Sequence, residues 1–259
     1  MFERAEAYEA MMGRWSRQLA PLFVEFAGVR DGEKVLDVGC GTGSLSATLA
    51  RVTGASKIVG IDPSNGFVDY ARANVTDPRV TFELGDAQEL PYSDGSFDRS
   101  LALLIVNFLP DASKAAREMR RVTKSGGVVA TTMWDGSRAN ELNASLWAAA
   151  IPMDPTAERI AERRGRYGSP AALSDLLNGA GLTDIEVTEL AMECQFSSFE
   201  DYWLPLTTGQ GPSGAYLKGL TEDHRMELAK RLRQNLFGSR ADGPFTLQAK
   251  AWAVRGIVP

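Results

Sequence analysis

Val35-Leu36-Asp37-Val38-Gly39-Cys40-Gly41-Thr42-Gly43 is the stretch on which the reading of this chain turns. A short apolar run ends at a carboxylate and passes into three alternating glycines, and residues 44–51 have the pattern of a helix. Strand, glycine loop and helix in that order are how an open α/β sheet presents backbone amides to a nucleotide-like ligand. The glycines let the chain turn sharply and let a ligand lie against bare peptide groups. By itself such a loop also fits an ordinary tight turn, so the segments around it must decide.

They recur at the intervals of a doubly wound sheet. Residues 57–61 form a second apolar strand ending at Asp62, before Pro63 and Ser64. An acidic residue about 20 residues past the glycine loop can accept hydrogen bonds from both ribose hydroxyls; the other reading of Asp62 is the start of a helix over 65–74. A third strand, 80–84, runs into Gly85-Asp86-Ala87, where Asp86 either bonds an adenine amino group or closes a turn. Strands at 98–106 and 127–134 and a helix at 112–122 continue the alternation. The loop spacing is G-x-G-x-G, not the dinucleotide G-x-G-x-x-G, and Asp37 stands where a pyrophosphate would be repelled. S-adenosylmethionine (SAM), which carries an ammonium and a sulfonium, suits that carboxylate better, and a nicotinamide-dependent reductase is the weaker alternative.

At this point the chain resembles a known family. The stretches 35–43, Gly85-Asp86-Ala87-Gln88-Glu89-Leu90-Pro91-Tyr92, Gly95-Ser96-Phe97-Asp98 and Lys124-Ser125-Gly126-Gly127 resemble the ordered motifs of class I SAM-dependent methyltransferases. The branch they most resemble includes the ubiquinone/menaquinone-biosynthesis methyltransferases, which act on small molecules. The resemblance implies a Rossmann-like seven-stranded sheet of order 3-2-1-4-5-7-6 with strand 7 antiparallel. It also implies SAM as cofactor, with S-adenosylhomocysteine as its product. Asp37, Gly39, Gly41 and Gly43 would cradle the methionine end, Asp62 the ribose, and Asp86 with Ala87 the adenine edge; Cys40, Pro63 and Gly85 are further cofactor-binding candidates, Cys40 reading as a small packing residue rather than a nucleophile. Leu103 and Leu104 would lie behind the cofactor. One departure is Asn107, where that branch often carries histidine; an amide can donate and accept hydrogen bonds but is no base near neutral pH. Asn107 either positions a substrate or the cofactor, or caps the next helix.

A chain of 259 residues with 44% hydrophobic content can bury a substantial core. Its net charge of −5 offers no broad electrostatic attraction for nucleic acid. Two cysteines, Cys40 and Cys194, are too few for a disulfide framework or a zinc site, and no metal-ligand cluster is evident. With no apolar run approaching the ~18 residues of a membrane span and no secretory core in residues 1–6, a soluble cytoplasmic protein is expected. The oligomeric state is not legible.

The expected organisation is a single methyltransferase domain over 1–259. Residues 1–30 form a helical cover, 31–135 the SAM-binding core, 136–184 and 197–243 helical cap or lid insertions, and 185–196 and 244–256 edge strands. Helices are expected at 140–150, 156–164 and 170–180, and a further one at 221–236. In the cover, Tyr8, Met11, Met12 and Trp15 recur at three- to four-residue spacing, so they are expected on one face; Tyr8, Met12 and Trp15 either cover the cofactor or pack on the sheet. In the second insertion Phe199, Tyr202 and Trp203 precede a glycine-rich loop at 208–214, which suits either a lid over an apolar or aromatic substrate or the core of a helical cap. Trp134, Tyr202, Trp203 and Asn107 are the substrate-binding candidates. Asn107, Tyr8 and His224, the single histidine, are the catalytic candidates, although His224 also reads as an exposed helix residue. The basic run 159–166 reads as a solvated helix face before an anion site. Together these features point to methylation at O, N or C of a small apolar or aromatic acceptor; a non-catalytic SAM-binding sensor is the alternative.

Overall fold

The computed structural model describes residues 5–137, 139–164, 166–209 and 211–259, without the side chains of Asn143, Glu162, Arg163 and Arg164. Gly165 of the basic run and Gln210 of the glycine-rich loop lie outside the described residues, as do residues 1–4.

Short runs rich in valine, isoleucine and leucine form β1 (Lys34–Val38) and β2 (Lys57–Asp62), buried along nearly their whole length, as parallel strands covered on both faces must be. β3 (Val80–Leu84), β4 (Phe97–Leu103) and β5 (Thr123–Trp134) extend the parallel pairing. β6 (Thr183–Phe196) and β7 (Phe245–Ile257) complete the sheet, with β7 antiparallel to both β5 and β6. The order is 3-2-1-4-5-7-6. From β1 the chain moves outward through β2 to β3, and from β4 it moves the other way to β5. Right-handed crossovers then place the connecting helices on opposite faces and open a crevice at the carboxyl ends of β1 and β4.

The N-terminal segment runs from α1 (Ala5–Tyr8) through a five-residue π turn, Glu9–Gly13, into α2 (Arg14–Ala27). α2 packs against α3 (Ser44–Val52), which leaves the glycine loop, and α4 (Asn65–Asn74) follows β2. α5 (Ala112–Val122) packs against α8 (Pro170–Gly179). Between β5 and α8 stand α6 (Glu141–Ala150) and α7 (Thr156–Arg164); between β6 and β7 stand α9 (Phe199–Leu206), α10 (Gly211–Gly219) and α11 (Glu222–Phe237).

The structure departs from the sequence reading at three instructive places. β4 stops at Leu103 instead of running to 106, because Leu104 adopts a left-handed backbone (φ 62°) and the chain enters a short 3-10 turn, Val106–Phe108. A π turn, Glu9–Gly13, interrupts the α spacing expected between Tyr8 and Trp15, and only Tyr8, Met11 and Met12 of the four line the main cavity. Trp15 turns into the core, 5% exposed, with its ring 5.1 Å from that of Phe196. The glycine-rich run is not one loop: Gly211 begins α10, and a Cβ on Gly214 would lie 2.6 Å from the Gly209 backbone. That glycine serves close packing.

Candidate functional site

One cavity of about 960 Å³ lies over the carboxyl ends of β1, β2, β4 and β5 and beneath α1, α6, α7 and α10. It stands near the upper end of the ~300–1,000 Å³ common for small-molecule pockets.

Its first end is the glycine loop. The amides of Gly39 and Cys40 both donate to the Ile61 carbonyl, at 2.8 and 3.0 Å, which folds the loop back over β2. Gly39 has φ 68° and a Cβ there would lie 2.7 Å from Ile105, so only glycine fits. Gly41, at φ 53°, has nothing within 4 Å of its would-be Cβ and lines the cavity. Its amide donates to Asp62 Oδ2 at 3.0 Å, while Asp62 Oδ1 accepts the Ser64 amide at 2.9 Å. Asp62 thus lines the cavity and also organises the start of α4.

Asp37 is the electrostatic centre of this end. It is 1% exposed; Oδ2 accepts the Ser46 hydroxyl at 2.7 Å, and Oδ1 is buried without a hydrogen-bond partner. Burial pushes its carboxyl up to about 7; the Ser46 hydroxyl and amide work in the other direction, and Asp62 adds to the rise. Burial likewise raises Asp62, opposed by the Ser64 and Gly41 amides. A buried carboxylate oxygen with an unused lone pair facing a cavity is a receptor for a cation or a donor hydrogen.

The cover is tied to this end. Thr42 donates its hydroxyl to Glu9 Oε1, and Arg17 pairs with Glu9 Oε2. A Cβ on Gly13 would lie 2.3 Å from the Glu9 carboxylate, so the glycine makes room for that latch. Tyr8 and Met12 line the cavity, with Met11 beside them. The Tyr8 hydroxyl lies 3.1 Å from Ser16 Oγ, and burial raises its pKa above the ordinary phenol value, so it stays protonated near neutrality.

Pro63, Asp86, Ala87, Leu103, Leu104 and Cys40 also line the cavity. The Cys40 thiol is pushed well up by burial and packs with Val68, Ala71 and Phe82, as a small core residue would. Gly43 and Gly85 do not line it. A Cβ on Gly43 would meet Val75 and Phe82, and one on Gly85 would lie 2.5 Å from Ile61, so both are packing glycines behind the loop. Trp15, as described above, is also away from the cavity.

At the other end the walls are apolar. Trp134 closes the end of β5, Phe108 and Leu109 follow the 3-10 turn, and Trp147 and Ile151 come from α6 and its end. Asn107 lines the cavity, and its Oδ1 accepts the Tyr167 amide at 3.1 Å. It does not cap α5, whose N-cap is Asp111, accepting the Lys114 amide at 2.8 Å. Tyr202 and Trp203 are not in the cavity wall. Tyr202 is buried against Phe196 and Phe245, and Trp203 stacks on Phe199, 5.9 Å between rings, so these aromatics form the core of the helical cap. His224 is exposed in the first turn of α11, outside the cavity. Among the described residues no group of His, Cys, Asp and Glu side chains could hold a metal ion, and no helix is long and apolar enough to cross a membrane.

The sequence reading missed Asp135, Trp147 and Glu158, all of which line the cavity. Asp135 directly follows β5, where sites on open sheets gather, and Ala144, Trp147, Ala148 and Ile151 have helical spacing within the expected cap or lid insertion 136–184, in which the sequence reading names no site residue.

Comparison with known proteins agrees with this geometry. The family model described as a methyltransferase domain matches residues 36–131. Methyltransferase GfsG of Streptomyces halstedii is 45% identical over 106 residues, 39% of this chain and 38% of that protein. The ubiquinone/menaquinone biosynthesis C-methyltransferase UbiE of Geobacter sp. (strain M21) is 36% identical over 121 residues, 45% of this chain and 50% of that protein. This chain thus spans well under two thirds of either relative's length. Among solved structures, a Haemonchus contortus phosphoethanolamine N-methyltransferase 2 in complex with S-adenosylhomocysteine superposes with a TM-score of 0.61 at 19% identity, covering 98% of this chain and 57% of that one. At that identity the likeness speaks for the fold. Residues 36–131 are thus similar to that methyltransferase domain, and they sit in a Rossmann-like sheet of order 3-2-1-4-5-7-6.

Proposed function

We propose that this chain transfers a methyl group from SAM to a small, apolar or aromatic acceptor. The observation that carries the proposal is the buried, unpartnered Asp37 Oδ1 beside the open face of Gly41, at one end of a cavity whose other end is apolar. In this reading Asp37, Gly39, Cys40 and Gly41 hold the methionine end of the cofactor, and Asp62 with Pro63 receives the ribose. Asp86 and Ala87 border the adenine, and Leu103 and Leu104 back the cofactor. The curated relatives named as methyltransferases support the same reaction class.

When bound, SAM supplies a methyl group on a positively charged sulfur, open to in-line displacement by an acceptor nucleophile. The chain's part is to hold the nucleophile close and aligned, where positioning contributes on the order of 7–11 kcal/mol. Trp134, Trp147 and Phe108 exclude water around it, and Met12 and Tyr8 close the side nearest the cover. Segments 136–184 and 197–243 serve as the acceptor-binding cap, the first supplying α6 and α7 and the second α10. Tyr8 stays protonated, Asn107 is an amide and His224 lies outside, so none of the three acts as a base. The acceptor's proton leaves by its own acidity or through a carboxylate.

The test is calorimetric titration with SAM, S-adenosylhomocysteine and NADH, followed by mass spectrometry of acceptor mixtures incubated with labelled SAM. Binding of both sulfur ligands without NADH, and a product heavier by one methyl group, are expected. Binding without any methylated product across an apolar acceptor set would favour a SAM sensor; binding of NADH alone would overturn the proposal.

A further inference from the structure

The cavity is sharply one-sided in charge. Five carboxylates line it, Asp37, Asp62, Asp86, Asp135 and Glu158, and no Lys, Arg or His among the described residues does. The first three stand at the glycine-loop end. Asp135 and Glu158 stand with the apolar walls, Asp135 8% exposed after β5 and Glu158 exposed on α7. The polar donors nearest Asp135 are already used by it. Its Oδ1 accepts the Ser137 amide and its Oδ2 the Ser137 hydroxyl, both at 2.8 Å, and Asn140 Nδ2 donates to its carbonyl at 3.2 Å. The first turn of α10, which also reaches this end, presents Pro212, which has no N–H to give an anion, and Ser213, which is 8% exposed.

Resting on the methyltransferase reading above, we infer that the acceptor carries no phosphate or carboxylate: the chamber admits a neutral or cationic apolar molecule and rejects its anionic counterparts. An anion held against the described walls would lose hydration without gaining a lysine, arginine or histidine partner, and desolvated charge without a partner is strongly disfavoured. It would also meet Asp135 and Glu158 as like charges, and like-charge juxtaposition is a standard device for refusing the wrong ligand. A neutral aromatic loses little hydration and gains contact with Trp134 and Trp147.

The experiment uses the full chain, alone and saturated with S-adenosylhomocysteine, titrated calorimetrically with naphthalene-methanol, naphthoate and naphthyl phosphate. These probes share one ring system and differ in charge. The alcohol is expected to bind at least about tenfold more tightly than either anion. Glu158→Gln and Asp135→Asn are expected to narrow that gap severalfold. Ala144→Trp, which fills the chamber from α6, is expected to weaken the alcohol while leaving S-adenosylhomocysteine binding unchanged, placing the probe in the chamber. Naphthoate or naphthyl phosphate binding as tightly as the alcohol would overturn the inference, as would the failure of all three to bind. Should the charge preference hold while S-adenosylhomocysteine fails to bind, the charge class stands and the methyltransferase reading falls.

Discussion

The two ends of the cavity are built in different ways. The glycine-loop end comes mainly from strand ends and tight turns between residues 37 and 104, and nearly every polar atom there is assigned: Gly39 and Cys40 to Ile61, Gly41 and Ser64 to Asp62, Ser46 to Asp37. What remains is one buried carboxylate oxygen on Asp37. The apolar end is assembled from Phe108, Trp134, Trp147, Ile151 and Pro212, which reach it from four separate segments. A site with one fixed ligand can be encoded in contiguous motifs on a rigid sheet, whereas a site that differs among relatives is placed on connections that can vary without disturbing that sheet.

The contrast can be broken experimentally at either end. The largest effect is expected from Asp37→Asn, which keeps the shape and removes the charge. SAM affinity should fall by about a hundredfold or more, in line with the ~3–5 kcal/mol seen when one member of a buried ion pair is lost. Calorimetry checks this, with circular dichroism to confirm the fold. At the other end, Ala144→Trp should raise the acceptor KM at least about tenfold and leave the SAM Kd unchanged, since an overfilled chamber excludes one ligand and not the other. A loss of SAM binding in that variant would mean that the two ends are not separate. Asp62→Ala should weaken SAM about tenfold, and the midpoint of thermal unfolding should drop as well, because the Gly41 and Ser64 amides lose their acceptor. The smallest effect belongs to His224→Ala: kcat and KM should stay within about twofold of the parent, as for an exposed side chain away from the site.

Legibility in the sequence followed the same division. β3, α4 and α5 run over 80–84, 65–74 and 112–122, as their spacing indicates, because apolar period and turn residues agree there. The strand order rested on family resemblance, and the pairing bears it out. Leu104 was opaque: nothing local marks a leucine for a left-handed backbone, and the conformation is held by tertiary contacts such as its amide bond to the Thr132 carbonyl at 3.0 Å. Trp15 misled because a face assigned at α spacing assumes no π turn. Tyr202 and Trp203 misled because an aromatic pair beside glycines reads alike whether it lines a site or fills a cap. Glu158 and Trp147 carried no motif, and only the packing of α6 and α7 over the strand ends brings them to the cavity.

The most direct test is the pH dependence of SAM binding, measured calorimetrically from about pH 6 to pH 8 in two buffers of different ionisation enthalpy. In the free protein Asp37 titrates near 7, above its unfolded value of about 4, so burying it favours the folded state most at low pH and that contribution is lost as pH rises through 7. A bound cation needs the ionised form. Affinity should therefore climb with pH below about 7 and flatten above it, with protons released on binding. Asp62 and Cys40 face the same carboxyl, and Asp37→Asn separates their contribution by removing the dependence if Asp37 is its source. Binding that rises in this way, and flattens in the variant, is the expected result; pH-independent binding by the parent, or no binding of SAM at all, would contradict the assignment of Asp37 as the cation receptor.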